Sequence, residues 1–153
     1  MTISWTPELD TGIDVIDQQH RRIVDFINDL EAAQVMKDRN KIKDVINDCV
    51  DYTLSHFAFE ESLQEEAGYQ YCKPHKKVHE LFTRKVSEYQ ERMLLGDDVS
   101  EELHAMLARW LVNHIKRDDA DYVGAVKANM QTVIKDKEEK QETVGWFRRF
   151  FGK

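Results

Sequence analysis

The chain has 153 residues, enough for one domain with a core that needs no disulfides. Hydrophobic residues make up 41% and charged residues 33%, and with only six Gly and two Pro the composition predicts an all-α protein. The formal net charge of -7 argues against nucleic acid as a partner. The N-terminus does not resemble a signal peptide, and no segment approaches the roughly 20 apolar residues that span a bilayer, so we expect a cytoplasmic protein. We also expect it to be a monomer.

The first predicted elements are an arm and a helix. Residues 1–15 lack helical periodicity and contain proline and glycine, which indicates an N-terminal arm packed on the body with Trp5 as its anchor. A helix is predicted to begin near Asp17, as its N-cap, and to run to about Met36. Its inward positions recur at three- and four-residue steps: Ile16, His20, Ile23, Val24, Ile27 and Leu30.

The second predicted helix covers about 39–66 and stops at Gly68. Its inward-facing set is Ile42, Val45, Ile46, Cys49, Val50, Thr53, Leu54, Phe57 and Leu63.

The third helix is predicted from Pro74, which suits a first helical turn, to about Leu95. The fourth begins at Ser100, and a further helical segment extends from about 120 to 135. Four long amphipathic helices with short links predict an antiparallel up-down four-helix bundle. We place the bundle in residues 1–136, and a polar linker with an aromatic and basic tail, in part helical, in residues 137–153.

Histidines supply the main functional signal. Five of the six lie at predicted core-facing positions on four different helices: His20, His56, His75, His79 and His114. A single histidine on an apolar face is usually a hydrogen-bonded core residue, but five that converge in one bundle favour a metal site. The sixth, His104, we interpret as a solvent-side or core-edge residue.

Acidic residues accompany these histidines at helical spacing. His56 and Glu60 are four residues apart, as are His75 and His79, so each pair lies on one helix face and can hold the same metal centre.

His114 and Asp119 are five residues apart, a spacing that turns the second side chain away from the first on a regular helix. We therefore predict a break or a local bulge between them, a feature common at functional sites.

Seven such side chains are too many for one tetrahedral zinc ion, whereas two metal ions that share bridging carboxylates use them all. The order resembles the motif of the hemerythrin family: a single His on the first helix, H-x-x-x-E on the second, H-x-x-x-H on the third and H-x-x-x-x-D on the fourth. The resemblance covers about residues 3–120. Trp5, Gly12 and the run IDQQH at 16–20 resemble the bacterial branch of that family.

The resemblance implies a non-haem di-iron centre with an oxo or hydroxo bridge. His75, His79 and His114 would hold one iron, and His20 and His56 the other. Glu60 and Asp119 would bridge the two. In the family, dioxygen binds reversibly at the iron with fewer protein ligands.

An oxygen site of this kind has to exclude water. By their offsets from the histidines, four apolar residues are predicted to line the oxygen pocket, although ordinary core packing explains them as well: Ile23, Phe57, Trp110 and Leu111.

The resulting hypothesis is an oxygen carrier rather than an enzyme, which stores, buffers or delivers dioxygen in the cytoplasm. The alternatives are a di-iron redox enzyme acting on peroxide, nitric oxide or a ferric substrate, and an oxygen sensor. A ferritin-like carboxylate site needs two E-x-x-H motifs, and only Glu101 to His104 fits one.

Two further groups of residues remain. Five lie near the motifs and are candidates to tune the site or its access, although packing or surface exposure is the favoured interpretation: Phe59, Glu61, Tyr69, Tyr71 and Tyr122. The tail segment WFRRFF at 146–151 is typical of interfacial anchors, so a membrane surface or a membrane-bound oxygen consumer is a possible partner. The alternative is that the tail folds back on the bundle.

Overall fold

The protein is described by a computed structural model, which covers residues 2–132. Four α-helices form an antiparallel bundle: α1 (Asp14–Val35), α2 (Arg39–Glu66), α3 (Cys72–Leu94) and α4 (Ser100–His114). The last helix continues through a π-helical segment, Ile115–Asp119, into a helical stretch at 120–132. No strand occurs in the described part of the chain, so the predicted all-α four-helix bundle is confirmed.

The core consists of one buried stripe from each helix. On α2 the stripe steps through Ile46, Cys49, Thr53, His56 and Phe57, in register with the helical period. Leu54 was predicted to face inward, and this is wrong, because its position next to Thr53 turns it to the outside, where it is 41% exposed.

The α1 helix begins earlier than predicted. It starts at Asp14 with Ile13 at the N-cap, and Asp17 is already inside the first turn, since its backbone N–H donates to the Ile13 carbonyl. The buried Asp17 carboxylate instead accepts hydrogen bonds from the backbone N–H groups of Thr11 and Gly12 and from the Thr11 hydroxyl. It therefore holds the end of the arm against the bundle, rather than capping its own helix.

The arm before α1 packs along the bundle. The backbone of Ile3 exchanges two hydrogen bonds with the Asn28 side chain, and Leu9 is buried in the main apolar core. Trp5 packs on the same core, and its ring N–H donates to Asp10. The arm is thus attached at several points, of which Trp5 is one.

Short turns join the helices. Asp38 caps α2 by accepting from the Lys41 backbone N–H at 3.1 Å. Gly68, with φ 68°, and Gly96, with φ 97°, follow the ends of α2 and α3 in the left-handed region that glycine tolerates best.

The predicted linker and tail at 137–153 lie outside the described residues. Among the helices at 2–132, none combines the length and apolar character needed to cross a membrane.

Candidate metal centre

The seven residues singled out from the sequence meet at one place inside the bundle. The structure buries every one of them to 5% exposure or less, and their ligand-type atoms form two adjoining groups that share Glu60. One group contains Glu60, His75, His79, His114 and Asp119, and the other contains His20, His56 and Glu60.

The π-helical segment brings Asp119 into this cluster. Ile115–Asp119 follows directly after His114, so the wider π turn returns a residue five positions on to the same face. The predicted local bulge between His114 and Asp119 is confirmed.

Glu60 lies between the two groups of histidines. Its Oε1 atom is 2.7 Å from His75 Nε2 and 3.3 Å from His79 Nε2. Its Oε2 atom is 3.0 Å from His56 Nε2 and 3.8 Å from His20 Nε2. The carboxylate therefore offers one oxygen to each group.

Asp119 repeats this pattern. Its Oδ1 atom is 3.1 Å from His114 Nε2 and 3.3 Å from His75 Nε2, whereas its Oδ2 atom is 3.1 Å from His20 Nε2. We call His75, His79 and His114 the three-histidine side of the cluster, and His20 with His56 the two-histidine side. Both carboxylates have the position of bridges between the sides.

The polar atoms of the cluster fit a pair of metal ions. Within the described residues, Glu60 Oε2, both oxygens of Asp119 and His20 Nε2 are buried without a hydrogen-bond partner. Buried polar atoms without partners are rare in folded proteins because they cost free energy. In addition, His79 Nε2 and His114 Nε2 face each other at 3.0 Å, an arrangement suited to two lone pairs directed at one cation.

The protonation of the metal-free cluster follows from its contacts. Burial raises the pKa of Glu60, but close contacts with His56, His75 and His79 outweigh burial, and the net pKa is well below its usual range. Burial lowers the pKa of His75, but close contacts with Asp119 and Glu60 have the larger effect and raise the pKa to about 9. Glu60 therefore stays anionic inside the bundle, and the raised pKa of His75 places a balancing proton on that histidine.

Carboxylates support the three-histidine side from behind. His79 Nδ1 is 2.9 Å from Glu61 Oε1, and His114 Nδ1 is 2.8 Å from Asp118 Oδ2. A proton on Nδ1 that is donated to a carboxylate leaves the Nε2 lone pair directed into the cluster and makes the imidazole a stronger ligand. Sequence reasoning interpreted Glu61 as a packing or surface residue and did not single out Asp118. The signal was present, since Asp118 is four residues after His114.

The two-histidine side has weaker support. His56 Nδ1 is 2.6 Å from the amide oxygen of Gln19, a neutral acceptor. His20 Nδ1 is buried with no hydrogen-bond partner among the residues described. Gln19 was also missed, and its position next to His20 gave no indication that it would reach a histidine on another helix.

A small apolar cavity of about 10 Å³ adjoins the two-histidine side, with room for about one molecule the size of water. His20, His56 and His114 form part of its wall. The four residues predicted to line an oxygen pocket all lie around it: Ile23, Phe57, Trp110 and Leu111. The remaining wall residues are Ile27, Thr53, Phe82 and Leu107.

Two aromatic rings also pack directly on ligand-type histidines. Phe57 stacks on His79 with ring centres 3.8 Å apart, and Trp110 stacks on His114 at 4.3 Å. His104, by contrast, is outside the cluster. It is only 7% exposed, so a solvent-side position is wrong, and it belongs to the buried face of α4.

The fold and the cluster define a class of protein, namely helical bundles whose core contains histidines, with carboxylates between them, that fit a pair of metal ions. The model of the Hemerythrin HHE cation binding domain matches residues 11–126. The chain therefore belongs to the hemerythrin family.

Individual relatives agree with this assignment. The chain is 55% identical over 152 residues to a bacteriohemerythrin of Pseudomonas aeruginosa, with 97% of both chains covered. A bacteriohemerythrin of Stenotrophomonas maltophilia is 49% identical over the same coverage. A crystal structure of wild-type hemerythrin superposes with a TM-score of 0.79 at 27% identity and covers 82% of this chain and 98% of that one.

Proposed function

We propose that the chain holds two iron ions in the described cluster and binds dioxygen there reversibly. The observation that carries the proposal is the placement of Glu60 and Asp119, each with one oxygen toward each side of the cluster. Membership of the hemerythrin family supports iron as the metal and dioxygen as the ligand.

When bound, the iron pair supplies the electrons that dioxygen needs in order to bind. The chain's own part is to hold and orient the ligands. On the three-histidine side, Glu61 and Asp118 set the tautomer of two imidazoles. On the two-histidine side, the protein provides fewer donor atoms and an adjoining cavity, so one coordination position is proposed to face that cavity.

The cavity walls support reversibility. Ile23, Phe57 and Leu111 are buried, and together with half-buried Trp110 they keep water and polar side chains away from the two-histidine side. A mostly apolar wall, in which Thr53 and Trp110 are the non-histidine residues with a polar hydrogen, offers few proton donors to a bound oxygen molecule, which disfavours its release in reduced form.

The test is the visible spectrum of the iron-loaded, reduced chain. We expect a new absorption band in air that disappears when oxygen is removed under argon, over repeated cycles. Immediate and irreversible conversion to a ferric spectrum would contradict the carrier proposal. Steady turnover with a reductant and peroxide or nitric oxide would favour the redox enzyme instead.

The ligand roles are tested by His56→Ala, with His104→Ala as a matched buried histidine outside the cluster. We expect His56→Ala to bind less iron and to lose oxygen binding, and His104→Ala to retain both. Two irons per chain with intact oxygen uptake in His56→Ala would disprove the proposed oxygen-binding side.

The cellular role is proposed from the sequence as storage, buffering or delivery of oxygen in the cytoplasm by a monomer, with the bundle in residues 1–136. For the tail at 137–153 we propose contact with a membrane surface or a membrane-bound oxygen consumer. Equal co-sedimentation of the full chain and a truncation after Glu142 with liposomes would contradict the membrane contact.

A further inference from the structure

A line of tyrosine rings leads from the cluster to the protein surface. The Tyr122 ring is 5.6 Å from the His75 ring, Tyr69 is 6.3 Å from Tyr122, and Tyr71 is 5.8 Å from Tyr69, each measured between ring centres. Each separation lies in the range of directly interacting aromatic pairs. The first tyrosine is fully buried and the last is 51% exposed, so the rings connect the interior to solvent.

The middle tyrosine has a proton acceptor in place. The Tyr69 hydroxyl donates a hydrogen bond to the carboxylate of Asp121. Phenols are much easier to oxidise when the proton can leave along a hydrogen bond, because the product is then a neutral radical instead of a cation. Tyr69 is therefore the ring in the line that is best prepared to lose an electron.

A second aromatic contact with the three-histidine side leads elsewhere. Trp110 stacks on His114, but its neighbouring rings are Phe82 and Phe57. Phenylalanine rings are far harder to oxidise than tyrosine or tryptophan rings. Among the ring contacts of the described residues, Trp110 therefore has no neighbouring ring that is easily oxidised.

We propose that Tyr122, Tyr69 and Tyr71 form a relay that carries oxidising equivalents from the cluster to the surface when the protein meets hydrogen peroxide. Tyr122 is next to the cluster, Tyr69 is the ring on which the radical is most stable, and Tyr71 is the ring that solvent can reach. The relay protects the cluster and the surrounding core because it moves the oxidising equivalent to Tyr71 at the surface, where a small reductant can reduce it.

The chemistry balances with peroxide as oxidant and ascorbate as reductant. Hydrogen peroxide takes up two electrons and two protons and gives two water molecules. For each electron, the relay leaves a Tyr69 phenoxyl radical, with the hydroxyl proton on Asp121. An ascorbate ion that meets the relay at Tyr71 loses one electron and one proton, Asp121 returns its proton to Tyr69, and two ascorbate ions are consumed for each peroxide.

The test is electron paramagnetic resonance on the full, iron-loaded chain, frozen rapidly after mixing with hydrogen peroxide. We expect a tyrosyl radical signal in the unaltered protein and its loss in Tyr69→Phe and in Tyr122→Phe. Tyr122→Phe keeps the ring and removes only the hydroxyl, which interacts with Glu60, so the fold is expected to persist and the iron content is measured in parallel. Asp121→Asn, an exposed change, is expected to weaken the signal without removing a ring.

Tyr52→Phe and Tyr89→Phe are the matched controls, because neither ring has a contact with the line, and both are expected to keep the full signal. Mass spectrometry after peroxide supplies a second readout, with oxidation products moving from Tyr71 to side chains near the cluster in Tyr122→Phe. A signal unchanged in Tyr69→Phe and Tyr122→Phe, or equally lost in a control, would overturn the relay.

The inference rests on the proposed di-iron centre, and different results would contradict the proposed function and the relay. A chain that takes up no iron, measured by metal analysis, contradicts the proposed function. A chain that binds two irons and oxygen reversibly, yet forms no tyrosine-dependent radical with peroxide, contradicts the relay alone.

Discussion

The two sides of the cluster differ in what lies behind their histidines. On the three-histidine side, His79 and His114 are backed by the carboxylates of Glu61 and Asp118. On the two-histidine side, His56 is backed by the neutral amide of Gln19, and the rings adjoin an apolar cavity.

This difference is consistent with the two tasks proposed for the bundle. Charged outer partners strengthen and orient their imidazoles, which suits a position that only has to hold an ion. A neutral partner and a dry cavity suit a position that must also accept and release a small ligand. Glu60 and Asp119, with an oxygen on each side, couple the two positions.

The largest effect is expected from Glu60→Ala, because this residue belongs to both sides. We expect the iron content, measured by metal analysis, to fall from two ions per chain to nearly none. Removal of one partner from a buried charged cluster also destabilises the metal-free fold by about 3–5 kcal/mol, measurable by denaturant unfolding. Glu66→Ala on the exposed end of α2 is the control, and equal iron in both variants would contradict the bridging role.

The next largest effect is expected from Leu111→Ala, and it is an effect on the oxidation rate at the two-histidine side only. Truncation of a buried leucine costs about 2–5 kcal/mol, and Leu103→Ala on the same helix should cost a similar amount. Of these two leucines, only Leu111 lines the cavity. Only Leu111→Ala is therefore expected to admit water and to speed irreversible oxidation of the oxygen-bound protein. Equal oxidation rates in the two variants, followed by visible absorption, would mean that the cavity wall has no protective role.

A smaller effect, a loss of iron affinity, is predicted for Glu61→Gln on the three-histidine side. The loss of a charged outer partner typically lowers metal affinity about 10–100-fold. Gln19→Ala removes only a neutral acceptor from the other side and should have the weaker effect. Iron affinities from competition with a chelator test this order, and a reversed order would remove the distinction between the two sides.

The smallest effect is expected when pH is changed, and it concerns the thermal stability of the metal-free chain. Burial lowers the pKa of His75, but contacts with Asp119 and Glu60 outweigh burial and raise the pKa from 6.5 to about 9. The protonated His75 therefore stabilises the fold fully below about pH 6.5, and this stabilisation is lost as the pH rises through about 9. His56, on the other side, has its pKa lowered by burial and contributes no such loss. We expect the melting temperature by calorimetry to fall between pH 6.5 and 9, while His75→Gln shows a flatter profile.

The sequence by itself determined the elements and the residues that would meet inside them. Helical periodicity is a local property, so the positions of His20, His56 and Glu60 on inward faces followed from the spacing of apolar residues. The five-residue step from His114 to Asp119 likewise required a widened turn, and a π segment occurs there. Local spacing also selected four of the residues that line the cavity, namely Ile23, Phe57, Trp110 and Leu111.

Only the packing of the helices determined which polar side chains support the cluster and the arm from a neighbouring element. Gln19 supports a histidine on α2, Glu61 supports one on α3, and Asp17 holds the arm instead of capping α1. Such pairings depend on how helices rotate and approach each other, which a single periodicity cannot specify. The volume of the cavity and the line of tyrosines have the same origin, because both arise from several faces packed together at once.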